Sequence, residues 1–139
     1  MKLTKKTTMF THIKTSKQNR VIVADLSRKL ELGTENIIAR IAYAYSLSKD
    51  RRLEIKDIKD AGGKEYRSTV LFGNNLPYYI GLVSTHYGIY KSDKDIPKYI
   101  KLHIDDGLEL LDAEVKSNPN LLGFDFLVKK IDLGLSVLV

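Results

Sequence analysis

The chain contains no cysteine, which excludes a disulfide framework, a thiolate zinc site and a thiolate-held iron–sulfur cluster. It also leaves no thiol able to attack, carry or relay sulfur. No apolar run approaches the roughly 18 residues that a membrane span requires. The basic opening MKLTKKTTMF leads into no apolar stretch of signal-peptide type, so a cytoplasmic chain with no membrane association is expected. The glycine signatures GxGxxG and GxSxG are missing. Gly62-Gly63-Lys64 is followed by Glu65, where a phosphate-binding P-loop needs serine or threonine; a flexible loop that touches DNA is the functional reading. Three histidines are too few and too scattered for a metal site. His103, Asp105 and Asp106 lie too close together on one helix to converge on a point. His103 is expected to pack beside the Ile100–Ile104 stripe or to bond a neighbouring backbone group, and His86 to sit beside Val83 and Tyr87. Nothing singles out a catalytic triad. The expectation is a non-enzyme with no cofactor and no metal.

What the chain does have is charge, unevenly placed. Its 139 residues suit one compact domain. Residues 1–67 hold 16 lysines and arginines against 8 acids, and residues 68–139 hold 7 against 9. A basic half joined to a near-neutral half suits a molecule that meets a polyanion on one face and protein on another.

The stretch LSRKLELGTENIIARIAYA poses the question of two helices across a short break. Phe10 to Lys14 reads as a short strand. Thr15 or Ser16 caps a helix over 17–32, carried by Val23, Leu26 and Leu30, and Gly33 is its expected stop. Thr34 caps a second helix, 35–48. There Ile37, Ile38, Ile41, Ala42, Ala44, Tyr45 and Leu47 cover most of the circumference, the pattern of a helix buried in a core or between subunits. Residues 49–64 read as a charged loop, and Tyr66 to Phe72 as a strand. Helices follow from Leu76 to Tyr87 and along the stripe Ile96, Ile100, Ile104, Leu108, Leu111 and Val115. From Ile131 apolar residues alternate to Val139, which predicts a strand. The division is a helical domain over 1–117 and an apolar tail, 118–139, packing on that domain or on a neighbouring subunit.

An ordinary helix-turn-helix reader is disfavoured, because the helix that should enter the groove offers only Asn36, Arg40 and Ser46 among apolar residues. A ribbon-helix-helix-like arrangement fits better: a strand, then two helices, the second packing in an oligomer core through Ile37, Ile38, Ile41 and Tyr45. The fold class is therefore all-α, a mainly helical single domain with short β-strands, built as an oligomer. Lys14, Lys17, Arg20, Arg28 and Lys29 then lie on the strand and first helix, suited to phosphates, with Arg51, Arg52 and Lys64 as loop contacts. Tyr43, Tyr45, Tyr79 and Tyr87 read as core or interface residues, and Tyr78, Tyr90 and Tyr99 as less constrained.

Taken in order, IKTSKQNRVIVADLSRKL, IARIAYAYSLS, GKEYRSTVLFG and KLHIDDGLELL resemble the DNA sulfur modification protein DndE family over roughly residues 12–111. The resemblance implies a small, mainly helical, tetrameric protein that binds DNA, nicked duplex by preference, in phosphorothioation, a restriction-modification chemistry. It implies partners that supply the reaction: a cysteine desulfurase as sulfur-transfer enzyme, an iron–sulfur protein of the ATP-pyrophosphatase type and an ATPase. The lack of cysteine agrees with sulfur chemistry placed elsewhere. The chain departs from the family at Asn74-Asn75, where an acidic residue is common, and its tail beyond Ser117 has no counterpart. The combined expectation is a DNA-binding accessory subunit. The rivals are a ribbon-helix-helix transcription regulator reading a short palindrome through His12 and Lys14, and a pure assembly subunit.

Overall fold

The computed structural model describes residues 10–118, 120 and 123–138. In chain order the elements are β1 (His12–Lys14), α1 (Lys17–Leu30), α2 (Glu35–Ser48), a short 3-10 turn (Ile55–Asp57), β2 (Glu65–Arg67) and α3 (Ser68–Phe72). A second 3-10 turn (Gly73–Asn75), α4 (Leu76–Tyr87), α5 (Ile96–Ser117) and α6 (Gly123–Leu138) follow. The domain is mainly helical, with one two-stranded antiparallel sheet. None of its described helices is long and apolar enough to cross a membrane.

The long α5 is the axis of the core. Ile96, Ile100, Ile104, Leu108, Leu111 and Val115 recur every three or four residues and all are buried. α2 packs along it, burying Ile38, Ala39, Ala42, Tyr43 and Ser46. The approach is close because Gly107 lies against the Ala42 backbone: a Cβ built on Gly107 would stand 1.9 Å from the Ala42 carbonyl oxygen. The cover that the apolar α2 demands is thus supplied largely by the chain's own α5. Ile38 is wholly buried there and contributes no surface, while Ile37, Ile41 and Tyr45 stay half-buried.

The order strand–helix–helix at the N-terminus is as expected, but the ribbon is not shared between subunits. β1 pairs within the chain with β2, in the register His12↔Arg67, Ile13↔Tyr66, Lys14↔Glu65. Ile13 and Tyr66 point into the core from this pair. α1 stops earlier than Gly33 predicts. Glu31 takes the left-handed conformation, φ 51°, and returns its N–H to the Ser27 carbonyl. Gly33 instead makes the turn into α2 at φ 139°.

Two strand expectations fail. Only Glu65–Arg67 of the YRSTVLF region is extended; Ser68–Phe72 is the short helix α3, burying Ser68, Leu71 and Phe72 at three- and four-residue spacing and exposing Val70. Packing overrides the β-branched preference there. The tail is also helical: Ile131 to Leu138 belongs to α6, and Val139 lies outside the described residues. The helical signal sits upstream of the alternation, in Gly123, Phe126, Leu127 and Lys130. Gly123 rests against the Leu30 carbonyl at the end of α1, Phe126 is buried, and Lys130 Nζ meets Glu114 Oε2 at 2.6 Å.

Candidate nucleic-acid interface

The 60–64 loop folds onto the start of α1. Lys64 and Thr15 exchange backbone bonds with this junction: the Thr15 N–H donates to the Lys64 carbonyl and the Gly63 N–H to the Thr15 carbonyl, each at 2.9 Å. Gly63 is required at this point, since a Cβ would meet the Ser16 carbonyl oxygen at 2.1 Å. Asp60 Oδ1 accepts the N–H groups of Gly62 at 2.9 Å and Lys17 at 2.8 Å. Those two bonds hold its carboxyl below the usual carboxylate range. On the other side Asp105 Oδ1 accepts the Ser16 N–H at 3.1 Å and Asn19 Nδ2 at 2.7 Å. Lys101, largely buried, donates to the Lys14 and Asp60 carbonyls at 2.7 and 2.9 Å.

At the start of α1 the Ser16 and Lys17 N–H groups are therefore occupied by the protein's own carboxylates, and the Asn19 N–H by the Ser16 carbonyl. A phosphate at this end would meet side chains, not a helix N-terminus. Lys14, Lys17 and Arg20 are exposed around the loop, and Arg20 Nη1 donates to the Gly63 carbonyl at 3.5 Å. Lys64 lies beside them, paired with Glu35 at 3.2 Å. An open groove of about 540 Å³ continues from Lys64 between α1, α2 and β2, lined by Ser27, Asn36, Tyr66, Arg67 and Val70 among others.

Arg28 and Lys29 stand at the other end of α1, about 16 Å from Lys17 by helical rise. Arg28 is paired with Asp25, which offsets much of its charge. Arg51 and Arg52 lie on a different surface, the turn after α2. The structure thus gathers Lys14, Lys17, Arg20 and Lys64, and leaves the other four predicted contacts in two separate places.

Beneath the Arg51–Arg52 turn lies a buried chain of polar groups. Ser46 Oγ lies 2.7 Å from His103 Nδ1 and donates to Asp106 Oδ2 at 2.6 Å. Tyr87 Oη lies 2.7 Å from His103 Nε2 and accepts the Leu53 N–H at 2.9 Å. Asp106 also pairs with Arg51 Nε at 2.8 Å. Counting protons assigns one tautomer. Ser46 gives its proton to the carboxylate, so Nδ1–H donates to Ser46, and bare Nε2 accepts from Tyr87. Burial, then the neighbouring His86, pushes His103 down to about 4.

A serine beside a histidine invites a hydrolytic reading, but the wiring opposes it. Ser46 is wholly buried, and its proton is committed to Asp106, not to the imidazole. His103 does pack within the α5 stripe as expected; its bonds, however, go to side chains of α2 and α4, not to nearby backbone. Sequence reasoning missed this group. Its only trace was the Ser46-Leu47-Ser48 and His103 pieces, whose meeting depends on helices distant in sequence. His86 is tied to the same turn, its Nε2 2.6 Å from the Arg51 carbonyl.

The remaining aromatics are mostly structural. Tyr43, Phe72 and Tyr79 form one cluster, and Tyr99 stacks on Tyr87 at 3.9 Å between ring centres. Tyr78 and Tyr90 are exposed. Among the described residues no group of three or more histidine, aspartate or glutamate side chains converges to hold a metal ion.

Among curated proteins no match is found. A solved structure, the crystal structure of DndE from Escherichia coli B7A involved in DNA phosphorothioation modification, has a similar fold. The TM-score is 0.60 at 20% identity, over 75% of this chain and 99% of that one. At that identity the likeness speaks for the fold. The family of DNA sulphur modification protein DndE matches residues 12–119, from β1 through α5, leaving α6 outside. The chain belongs to the DndE family of DNA sulphur modification proteins.

Proposed function

We propose that the chain is a non-catalytic DNA-binding subunit acting in DNA phosphorothioation. The observation that carries this reading is the convergence of Lys14, Lys17, Arg20 and Lys64 around a loop clamped to the start of α1. Exposed cations on a rigid backbone suit phosphate oxygens and carry no base readout. Arg28, Lys29, Arg51 and Arg52 extend the contact to further phosphates. Family membership supports the chemical setting. The lack of cysteine supports sulfur activation by other proteins; the partners in this reading are those the family resemblance implies, a desulfurase, an iron–sulfur ATP-pyrophosphatase-type protein and an ATPase.

The same reading takes the chain as a cytoplasmic homo-oligomer, a tetramer, associating through the half-buried Ile37, Ile41 and Tyr45. Light scattering tests that assembly: a single species of monomer mass rejects it.

The DNA reading is tested by fluorescence anisotropy with one labelled duplex, intact and singly nicked, in unrelated sequences and at two salt concentrations. The expected result is binding indifferent to sequence, tighter on the nicked duplex and weakening steeply with salt. Binding that follows sequence and ignores the nick identifies a transcription regulator instead. No binding at low salt leaves an assembly subunit.

A further inference from the structure

The turn after α2 is held far more firmly than a surface loop needs to be. Arg51 is fixed through Nε to Asp106 and through its carbonyl to His86. Arg52 Nη1 donates to the His86 carbonyl at 2.8 Å, and its guanidinium lies over the Tyr87 ring, 5.3 Å from the centre. Leu53 is fixed through its N–H to Tyr87 Oη. These ties come from side chains and backbone of α4 and α5; Tyr87 bonds His103 directly, and Asp106 is joined to it through Ser46 of α2. The imidazole joins two arms: through Ser46 it orders the carboxylate that holds Arg51, and through Nε2 it aims the Tyr87 hydroxyl that holds Leu53, while the Tyr87 ring underlies Arg52.

What this secures is the presentation of two adjacent guanidinium groups, Arg51 with part of its charge offset by Asp106 and Arg52 tied to a carbonyl and a ring. Arg51 bonds Asp106 through Nε and keeps its side chain 44% exposed. A guanidinium held by one edge keeps a fork of donors that matches two oxygens of a phosphodiester. Holding it in place beforehand removes rotamer entropy that a free arginine loses on binding. On the α1 face Lys64 has, among the described residues, only its ion pair with Glu35.

We infer that His103 is a positioning residue: with Ser46 and Tyr87 it pre-organises Arg51 and Arg52 as a second phosphodiester site, separate from the α1 face. This rests on the DNA-binding reading for its ligand, but not for its geometry, and the two are tested apart.

The geometric test uses nitrogen-15 NMR of the full chain without DNA. His103 is expected to show a protonated Nδ1 and a bare Nε2. Ser46→Ala is expected to speed solvent exchange of the Arg51 Nε–H, and Tyr87→Phe, which keeps the ring, to speed exchange of the Leu53 amide. The opposite tautomer, or unchanged exchange at both positions, overturns the inference. Tyr87→Phe and Ser46→Ala are chosen because each removes a single hydroxyl; His103→Gln, which keeps an acceptor near the Nε2 position, is the more severe third variant.

The binding test adds a duplex oligonucleotide. Tyr87→Phe and Ser46→Ala are each expected to weaken binding about threefold to tenfold, the range of one hydrogen bond. In an Arg51→Gln/Arg52→Gln background neither should weaken it further, because the group they position is gone. Equal losses in both backgrounds overturn the inference, since the hydroxyls then act elsewhere. Wild-type protein that binds no duplex defeats the DNA reading and the ligand assigned to this turn, and the exchange measurements then decide the positioning role alone.

Discussion

On the α1 face the backbone is fixed and the cations are held lightly, Arg20 by one long bond and Lys64 by one surface ion pair; at the turn after α2 the cations themselves are fixed. Lys14, Lys17 and Arg20 rise exposed on long stems from a junction tied down by Asp60, Asp105 and Lys101. Arg51 and Arg52 are pinned by a carboxylate, a carbonyl and an aromatic ring. As a phosphate-binding surface, the first arrangement would tolerate variation in the backbone it met and would be strongly screened by salt. The second is stereospecific and depends on a buried hydrogen-bond chain. Charge count alone would have treated the two as one surface.

The largest expected effect separates them by pH. His103 is neutral in the folded chain, with its pKa near 4 instead of 6.5. The unfolded chain therefore takes up the proton first as pH falls. Stability that is complete above about pH 6.5 is lost progressively toward pH 4, by up to about 3 kcal/mol. Asp106 opposes this shift, whereas the facing His86 and Arg51 reinforce it. Denaturant melts at pH 7 and pH 4.5 should show the loss, and His103→Gln should abolish this part of it. A pH-independent difference between the two proteins would break the account of the buried chain.

Next in size is the clamp under the α1 face. Gly63→Ala places a methyl 2.1 Å from the Ser16 carbonyl oxygen, and about 1–3 kcal/mol of destabilisation is expected. Gly62→Ala meets Asp60 and Lys17 side-chain atoms at 3.2 and 3.3 Å and should be the milder change. Thermal melting distinguishes them, and equal shifts in Tm would mean that the loop is not seated as described. Charge reversal at Lys17 and Arg20 should weaken duplex binding on the order of tenfold on every sequence, and lower the salt slope by about one per contact. An unaltered slope removes both residues from the interface. The smallest effect is expected at Arg28→Gln, less than about twofold in affinity, because Asp25 already offsets that charge.

Much of the helical framework was legible from spacing alone. The α5 stripe and the Leu76–Tyr87 helix match their elements, because each buries one face along a single period. The failures share a cause. The YRSTVLF segment looked like a strand because its residues favour one, but Leu71 and Phe72 are needed in the core beside Tyr43, and a helical turn delivers them there. The tail looked like a strand because the reading began at Ile131, past Phe126 and Lys130, which anchor α6. The candidate surfaces divide the same way. Lys17 and Arg20 could be placed on an exposed helix face from sequence, whereas the tethering of Arg51 requires Ser46, Tyr87 and His103 to meet from three helices. No local pattern encodes that meeting.

The contact of Gly107 with the Ala42 backbone lies one helical turn from the Ser46–His103 bond: Ala42 precedes Ser46 by four residues on α2, and Gly107 follows His103 by four on α5. With bare backbone on the α5 side, no side chain there can flex to absorb a change in helix spacing. The 2.7 Å hydrogen bond on the next turn therefore has no slack. The missing methyl at Gly107 acts as a gauge, transmitting any shift of α2 against α5 directly to the arginine turn.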